Sequence, residues 1–229
     1  MENKLFKSVD PLRKKPAVAQ IGGFRPDDEI KSWFGGRFLT ESNDTWPILD
    51  GEKAIPIIQI AVAELPIVPD MLKGKQIIQI FLSQVGLPVD LPAKNGDKFL
   101  IRELSDTSLV EAYDAPSLNF PKTFQVRWNE GDLEGPVWEE VFYHADNELI
   151  SEHMSSEDPF GSYNDRYFGV STTKVGGWAT YIQGLSSKPS DLMIQVSSET
   201  KSMFGIGDSG NIYFYLDDFG EWTMSWDCY

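Results

Sequence analysis

The residues with the most chemical potential by type and spacing are Glu140, His144, Glu148 and Glu152, which recur every four positions with Glu139 and His153 beside them. On one helix they would form a single stripe. A histidine among carboxylates can bind a divalent metal. The stripe lacks the His-x-x-x-His pair of a zincin and the dyad spacing of a di-iron bundle, so a solvated acidic face is the commoner outcome and no metal is assigned. Gly205-Ile206-Gly207-Asp208-Ser209-Gly210 matches G-x-G-x-x-G. That motif holds a pyrophosphate only when it follows a strand and opens a helix. Here it leads into Asn211-Ile212-Tyr213-Phe214-Tyr215-Leu216, a strand pattern, and Asp208 would repel phosphate. A glycine turn is the simpler reading.

No nucleophile can be assembled. The two histidines, His144 and His153, have no nucleophile context such as G-x-S-x-G. The one cysteine, Cys228, lies next to the last residue, a poor place to hold a reactive thiol rigidly. Carboxylate pairs such as Asp27-Asp28 and Asp217-Asp218 arise without purpose among 35 acidic residues. Trp222, Trp226 and Tyr229 could stack a ligand but more often such a set closes a core. Neither a catalytic residue nor a cofactor is assigned.

The elements that would position these residues come from a chain of 229 residues, long enough for one large or two small cores. Its net charge of −15 disfavours nucleic acid and anionic membrane surfaces, and would speed encounter with a basic protein partner. A single cysteine excludes an intrachain disulfide and a four-thiolate zinc site. With no apolar leader and no run of about 18 apolar residues, the expected location is the cytoplasm.

Residues 1–26 read as a polar lead with a basic bias, lying on the acidic body. Pro26 to Phe34 reads as a short helix closed by Gly35-Gly36. Strands are expected at 55–62, 76–82, 99–103, 109–113, 124–128, 179–183, 192–197 and 211–216, mixed helical character at 136–154, and a loop at 155–173. No strand–helix alternation sustains a parallel doubly wound sheet, so the expected class is α+β, strand-dominated.

An internal repeat organises this list. Trp33-Phe34-Gly35-Gly36, then Pro56-Ile57-Ile58-Gln59-Ile60, then Gly74 and the strand to Leu82 are matched in order by Lys174-Val175-Gly176-Gly177, Leu192-Met193-Ile194-Gln195-Val196, and Gly210 with the strand to Leu216. From the second glycine to the strand Gln is 23 residues in one copy and 18 in the other, a difference of one loop. A Gln inside an apolar strand needs partners for its amide, so Gln59 and Gln195 predict a shared structural hydrogen bond. The expectation is two related lobes from an internal duplication, packed as one globular unit over 27–229: a first lobe of about 27–98, a central segment 99–155 and a second lobe of about 156–229.

These pieces, together with Trp46-Pro47, Trp178, Gln183 and Gly207-Asp208-Ser209-Gly210, resemble the YwqG-like family, a bacterial family of unknown function. The resemblance spans about residues 33–216, and the middle matches little. It departs where the family places prolines after each Gly-Gly pair; Arg37, Phe38 and Ala179 stand there instead. The resemblance implies a strand-rich, two-lobed fold and carries over no catalytic residue. Relatives' association with toxin–immunity gene neighbourhoods hints at protein binding. The leading expectation is therefore a non-catalytic, acidic, immunity-like interaction domain. The alternative is a small-molecule binder or enzyme with a site at the lobe junction, where Gln59, Trp178, Gln183 and Asp208 are the candidate ligand-binding residues.

Overall fold

The structure, a computed structural model, describes residues 3–36, 38–41, 45–105, 110–112, 121–185, 191–217 and 219–229. Runs rich in Ile, Val, Phe and Tyr become strands because branched and aromatic side chains pack well on a pleated surface. They are β1 (Ala17–Ile21), β2 (Trp33–Phe34), β3 (Leu39–Glu41), β4 (Ile48–Leu49), β5 (Glu52–Lys53), β6 (Ile55–Ala61), β7 (Ile77–Leu82), β8 (Ala93–Lys94), β9 (Phe99–Leu104), β10 (Val110–Ala112), β11 (Phe124–Glu130), β12 (Lys174–Val175), β13 (Leu192–Ser197), β14 (Asn211–Leu216) and β15 (Trp222–Asp227). Among the described residues, eleven of them join one antiparallel sheet in the order β8-β15-β14-β13-β12-β1-β11-β2-β6-β7-β9. The small pairs β3–β10 and β4–β5 lie apart from it.

The sheet nearly closes on itself. Its edge strands β8 and β9 are consecutive in the chain, and the turn between them stitches the seam. Asn95 N–H donates to the Trp222 carbonyl at 3.1 Å, while its side chain accepts from Ile101 N–H at 2.7 Å and donates to Ile101 O at 3.2 Å. Trp222 Nε1 donates to Glu103 across the same seam, 2.6 Å away. Closure of this kind removes exposed sheet edges. Inside the ring, alternate residues of every long strand form one core, including Ile58, Ile60, Ile80, Ile194, Ile212 and Met224. Phe99 of β9 and Phe214 of β14 meet there with ring centroids 5.6 Å apart. Trp222 belongs to that core, Trp226 packs against it, and Tyr229 is exposed.

Among the described residues, four α-helices form a separate layer: α1 (Lys4–Val9), α2 (Trp138–Val141), α3 (Asn147–Met154) and α4 (Pro159–Tyr167). Asn3 caps α1 by accepting from Leu5 and Phe6 N–H, and Asp158 caps α4 with Pro159 at its first position. Leu5, Val9, Val141, Ile150, Tyr163 and Tyr167 make the layer's own core.

Several expectations change. The strands expected at 192–197 and 211–216 are observed at those bounds. Pro26–Phe34 contains no helix: Lys31 and Ser32 N–H both donate to the Glu64 carboxylate, which holds the chain extended into β2. Residues 1–26, expected on the surface, supply α1 and the central strand β1. Ala179–Gln183 is not a strand, and α4 occupies the expected 155–173 loop. The stripe is broken: Glu140 lies on α2, while Glu148 and Glu152 lie on α3, with His144 between the helices. Among the described residues no helix is long and apolar enough to cross a membrane.

Candidate functional site

The antiparallel pair β1–β11 divides the sheet into a first half (β11, β2, β6, β7, β9) and a second half (β1, β12, β13, β14, β15, β8). Each half carries a Gly-Gly turn fixed by the same set of bonds. Gly35 N–H donates to Ile57 O, as Gly176 N–H does to Met193 O. The Ser32 hydroxyl accepts from Ala61 N–H, as the Thr173 hydroxyl does from Ser197 N–H. Gln59 accepts from Leu39 N–H at 2.6 Å and donates to Lys31 O at 2.6 Å. Gln195 accepts from Thr180 N–H at 3.0 Å and donates to Thr172 O at 3.1 Å. Both glutamines are fully buried, and each strand shifts register just before its Gln, between Pro56 and Ile58 and between Leu192 and Ile194. Gln59 is thus a structural brace, as the buried amide demanded, and is not exposed to a ligand.

The second turn is anchored by an ion pair. Lys174 Nζ donates to both Glu134 carboxylate oxygens at 2.7 and 2.9 Å, and Trp178 N–H donates to the same carboxylate at 2.7 Å. Both charged side chains are almost completely buried. Burial pushes the Lys174 ammonium below its ordinary pKa, and the Glu134 charge opposes that shift. Gly177 sits at φ +74, and a Cβ there would come within 2.0 Å of Glu134, so only glycine admits the carboxylate.

Trp178 lies over this anchor. Its indole N–H donates to Leu12 O at 3.0 Å, Lys14 Nζ lies 4.5 Å from its ring centroid, and the His144 ring meets it edge-on at 5.3 Å. The neighbouring Glu140 is buried on α2 and one of its oxygens has no hydrogen-bond partner. Burial raises its pKa to about 7, with Lys14 opposing and Asp191 and Glu139 reinforcing the shift. Beside Gly177 a cavity of about 380 Å³ opens between the halves, lined by Lys14, Lys15, Val68, Pro69, Gly176 and Asp191 among others. Lys14 and Asp191 form an ion pair at 3.0 Å within it.

The candidate ligand-binding residues do not converge. Gln183 donates to Cys228 O, and the Asp208 carbonyl accepts from Tyr229 N–H, so both bind the C-terminal segment. Trp178 alone adjoins the junction cavity, through Gly177. Two further surface features could not be read from the sequence. One is a groove of about 880 Å³ on the first half, lined by Leu39, Ala61, Val62, Ile77 and several charged residues. The other is an aromatic face on the helical layer: Trp138 meets Phe142 at 5.9 Å and Phe160 at 5.4 Å, and both phenylalanines are about half exposed. The sequence hides this face because Trp138 and Phe142, at the start and just past the end of α2, meet Phe160 of α4, which is separated from them in the chain.

A nearly closed antiparallel sheet, braced by paired glycine turns and covered by helices on one side, defines an α+β domain. Among the described residues it holds no group of three or more His, Cys, Asp or Glu that could hold a metal. Residues 32–228 match the family described as a domain of unknown function (DUF1963), and the chain belongs to that family. No curated protein matches the chain.

Proposed function

We propose that this chain is a non-catalytic interaction domain, immunity-like in its role, that docks a basic protein on the aromatic face of the helical layer. The observation that carries this is Trp138 flanked by two half-exposed phenylalanines with exposed acids beside them. Glu139 follows Trp138, and Glu157 and Asp158 precede Phe160. Aromatic anchors inside a charged rim are the anatomy of a protein-binding patch. The net charge of −15 fits a basic partner. The proposal extends to ancestry: matching bonds around Gly35 and Gly176 support an internal duplication and a YwqG-like assignment. The test is crosslinking of tagged protein in its native host, read by mass spectrometry. A basic partner should be recovered at low salt, weakened at high salt, and lost with Phe142→Ser plus Phe160→Ser. Recovery unchanged by the double substitution would overturn the docking face.

A second reading rests on the cavity between the halves. Its lining of Lys14, Lys15 and Asp191 beside apolar Val68 and Leu192 suits a small polar ligand. A fragment screen observed by NMR would support it if hits shift the Gly176 and Gly177 amides.

A further inference from the structure

His153 touches every helix of the outer layer. It is buried on α3, and its ring centroid lies 5.3 Å from Phe6 of α1, 5.6 Å from Trp138 of α2 and 6.4 Å from Tyr163 of α4. Both ring nitrogens are bonded. Nε2 lies 2.8 Å from the Pro159 carbonyl, which can only accept, so Nε2 carries the proton. Nδ1 lies 2.9 Å from the Asn3 amide nitrogen, which can only donate. The Asn3 amide is fixed in that sense because its Oδ1 caps α1, accepting from Leu5 N–H at 3.0 Å and Phe6 N–H at 3.4 Å. The arrangement fits the neutral ring alone.

A proton on Nδ1 removes the acceptor. If Asn3 stays as it is, two donors face each other. If its amide turns, Oδ1 meets the ring, but the amide N–H groups then face those of Leu5 and Phe6 and the cap is lost. Either way the amino end of α1 loses its hold, and six residues are too few to keep a helix without one. The other end is clamped separately. Arg166 donates to both Asp10 oxygens and holds that carboxyl below the usual carboxylate range, so the clamp persists in acid. The charged neighbours do not relieve the clash, and among the described residues no carboxylate accepts from the ring. Glu152 of α3 is paired with Lys4 of α1, and Asp158 accepts from Gly161 N–H ahead of α4. Glu140 of α2, with its pKa raised to about 7, is neutral in acid, and burial keeps the Tyr163 phenol protonated.

We infer that α1 is an acid-released strap: protonation of His153 strips the Asn3 cap and frees the amino end of α1 from the helical layer, while Asp10 holds the other end as a pivot. Release uncovers the apolar surface that Leu5 closes over Ile150 and Tyr163. The inference does not rest on the docking face, and its test uses the chain alone. Hydrogen exchange by NMR is read at the Leu5, Phe6 and Lys7 amides, all bonded to Asn3. The parent is compared with His153→Gln at the same pH, so the intrinsic pH dependence cancels. Gln offers a donor and an acceptor at every pH. The two proteins should exchange alike at about pH 7.5, and the parent at least about fivefold faster at about pH 5, the loss of one helix cap. Amides of β14 should be unaffected, which separates release of the strap from unfolding. Asn3→Asp, at a half-exposed position, gives a carboxylate that caps α1 and accepts from the protonated ring, so it should keep the strap closed in acid even if His153→Gln fails to fold. The inference is overturned if α1 in the parent is equally protected at both pH values, if folded His153→Gln opens in acid like the parent, or if Asn3→Asp opens like the parent. A ring nitrogen spectrum placing the proton on Nδ1 at neutral pH would overturn it as well.

Discussion

The two halves of the sheet share a backbone plan and differ in what covers it. Around Gly35 and around Gly176 the same carbonyls, hydroxyls and glutamine amides are paired. Above that frame, the first half presents Leu39, Ala61, Ile77 and Leu104 beside a groove. The second half presents Tyr213, Asn211 and Asp227 bonded to the 180–183 segment. The glycine–glutamine brace is therefore a scaffold requirement, whereas the residues outside it are free to become either a filled surface or a recess.

The largest expected departure between the halves lies at the ion pair. Lys174 faces Gln195 across the ladder as Trp33 faces Gln59, so a buried charge stands where the first half has an indole. Glu134→Ala leaves the Lys174 ammonium buried and removes the acceptor of Trp178 N–H. It should cost about 3–5 kcal/mol in urea unfolding. Glu134→Leu combined with Lys174→Met should recover most of that loss, since an apolar pair avoids the desolvation of two charges. A cost below about 1 kcal/mol for Glu134→Ala would mean that the second turn does not depend on its anchor.

Next in size is a pH effect confined to the helical cover of the second half. Burial raises the Glu140 pKa from 4.5 to about 7, so the folded state holds a proton that the unfolded chain releases. The stability this confers is complete below pH 4.5 and is lost as pH rises toward 7. Relative to a Glu140→Gln variant, the protein should lose on the order of 3 kcal/mol across that window, with no further change above it. Parallel stability curves for the two proteins would show that Glu140 is more solvated than its surroundings indicate.

How much of this was legible in sequence follows from the range of the forces involved. Strands β13 and β14 and the paired Gly-Gly turns are local patterns, and the amide of Gln59 announced its need for buried partners. Pro26–Phe34 misled because its local helix signals lose to a distant carboxylate, Glu64, that takes the N–H groups of Lys31 and Ser32. Ala179–Gln183 has strand composition, but its N–H groups go to the side chains of Gln195 and Asp227. Glu140 and His144 kept helical spacing across a break between α2 and α3. The groove was invisible because Leu39, Ala61 and Ile77 meet only when β6 and β7 pair and the chain after Gly36 folds back over them.

A smaller effect tests the shared scaffold directly. Gln59→Leu and Gln195→Leu each strand one N–H and one carbonyl, so each should cost about 1–3 kcal/mol in chemical unfolding. The frame is equivalent if the two costs agree within about 0.5 kcal/mol, and unequal costs would locate the stronger brace. Gln59 has an additional donor in Gln79, and Gln195 has one in the Thr180 hydroxyl, so each variant also leaves one neighbouring side chain to find another partner.

The smallest expected effect separates cover from scaffold. Tyr213 is buried, and burial keeps its phenol protonated well above the ordinary range. Its hydroxyl serves only the second half's polar cluster, reaching Thr180 O at 2.9 Å and Asp227 at 2.7 Å. Tyr213→Phe keeps the ring and leaves Asp227 bonded to Ile182 and Gln183 N–H, so it should cost only about 1 kcal/mol. Hydrogen exchange should speed up at Ile182 and Gln183 while Thr180 N–H, held by Gln195, stays protected. Loss of protection at Thr180 as well would mean that the cover and the glutamine brace open together, and the division between a common frame and a variable surface would then hold for the first half alone.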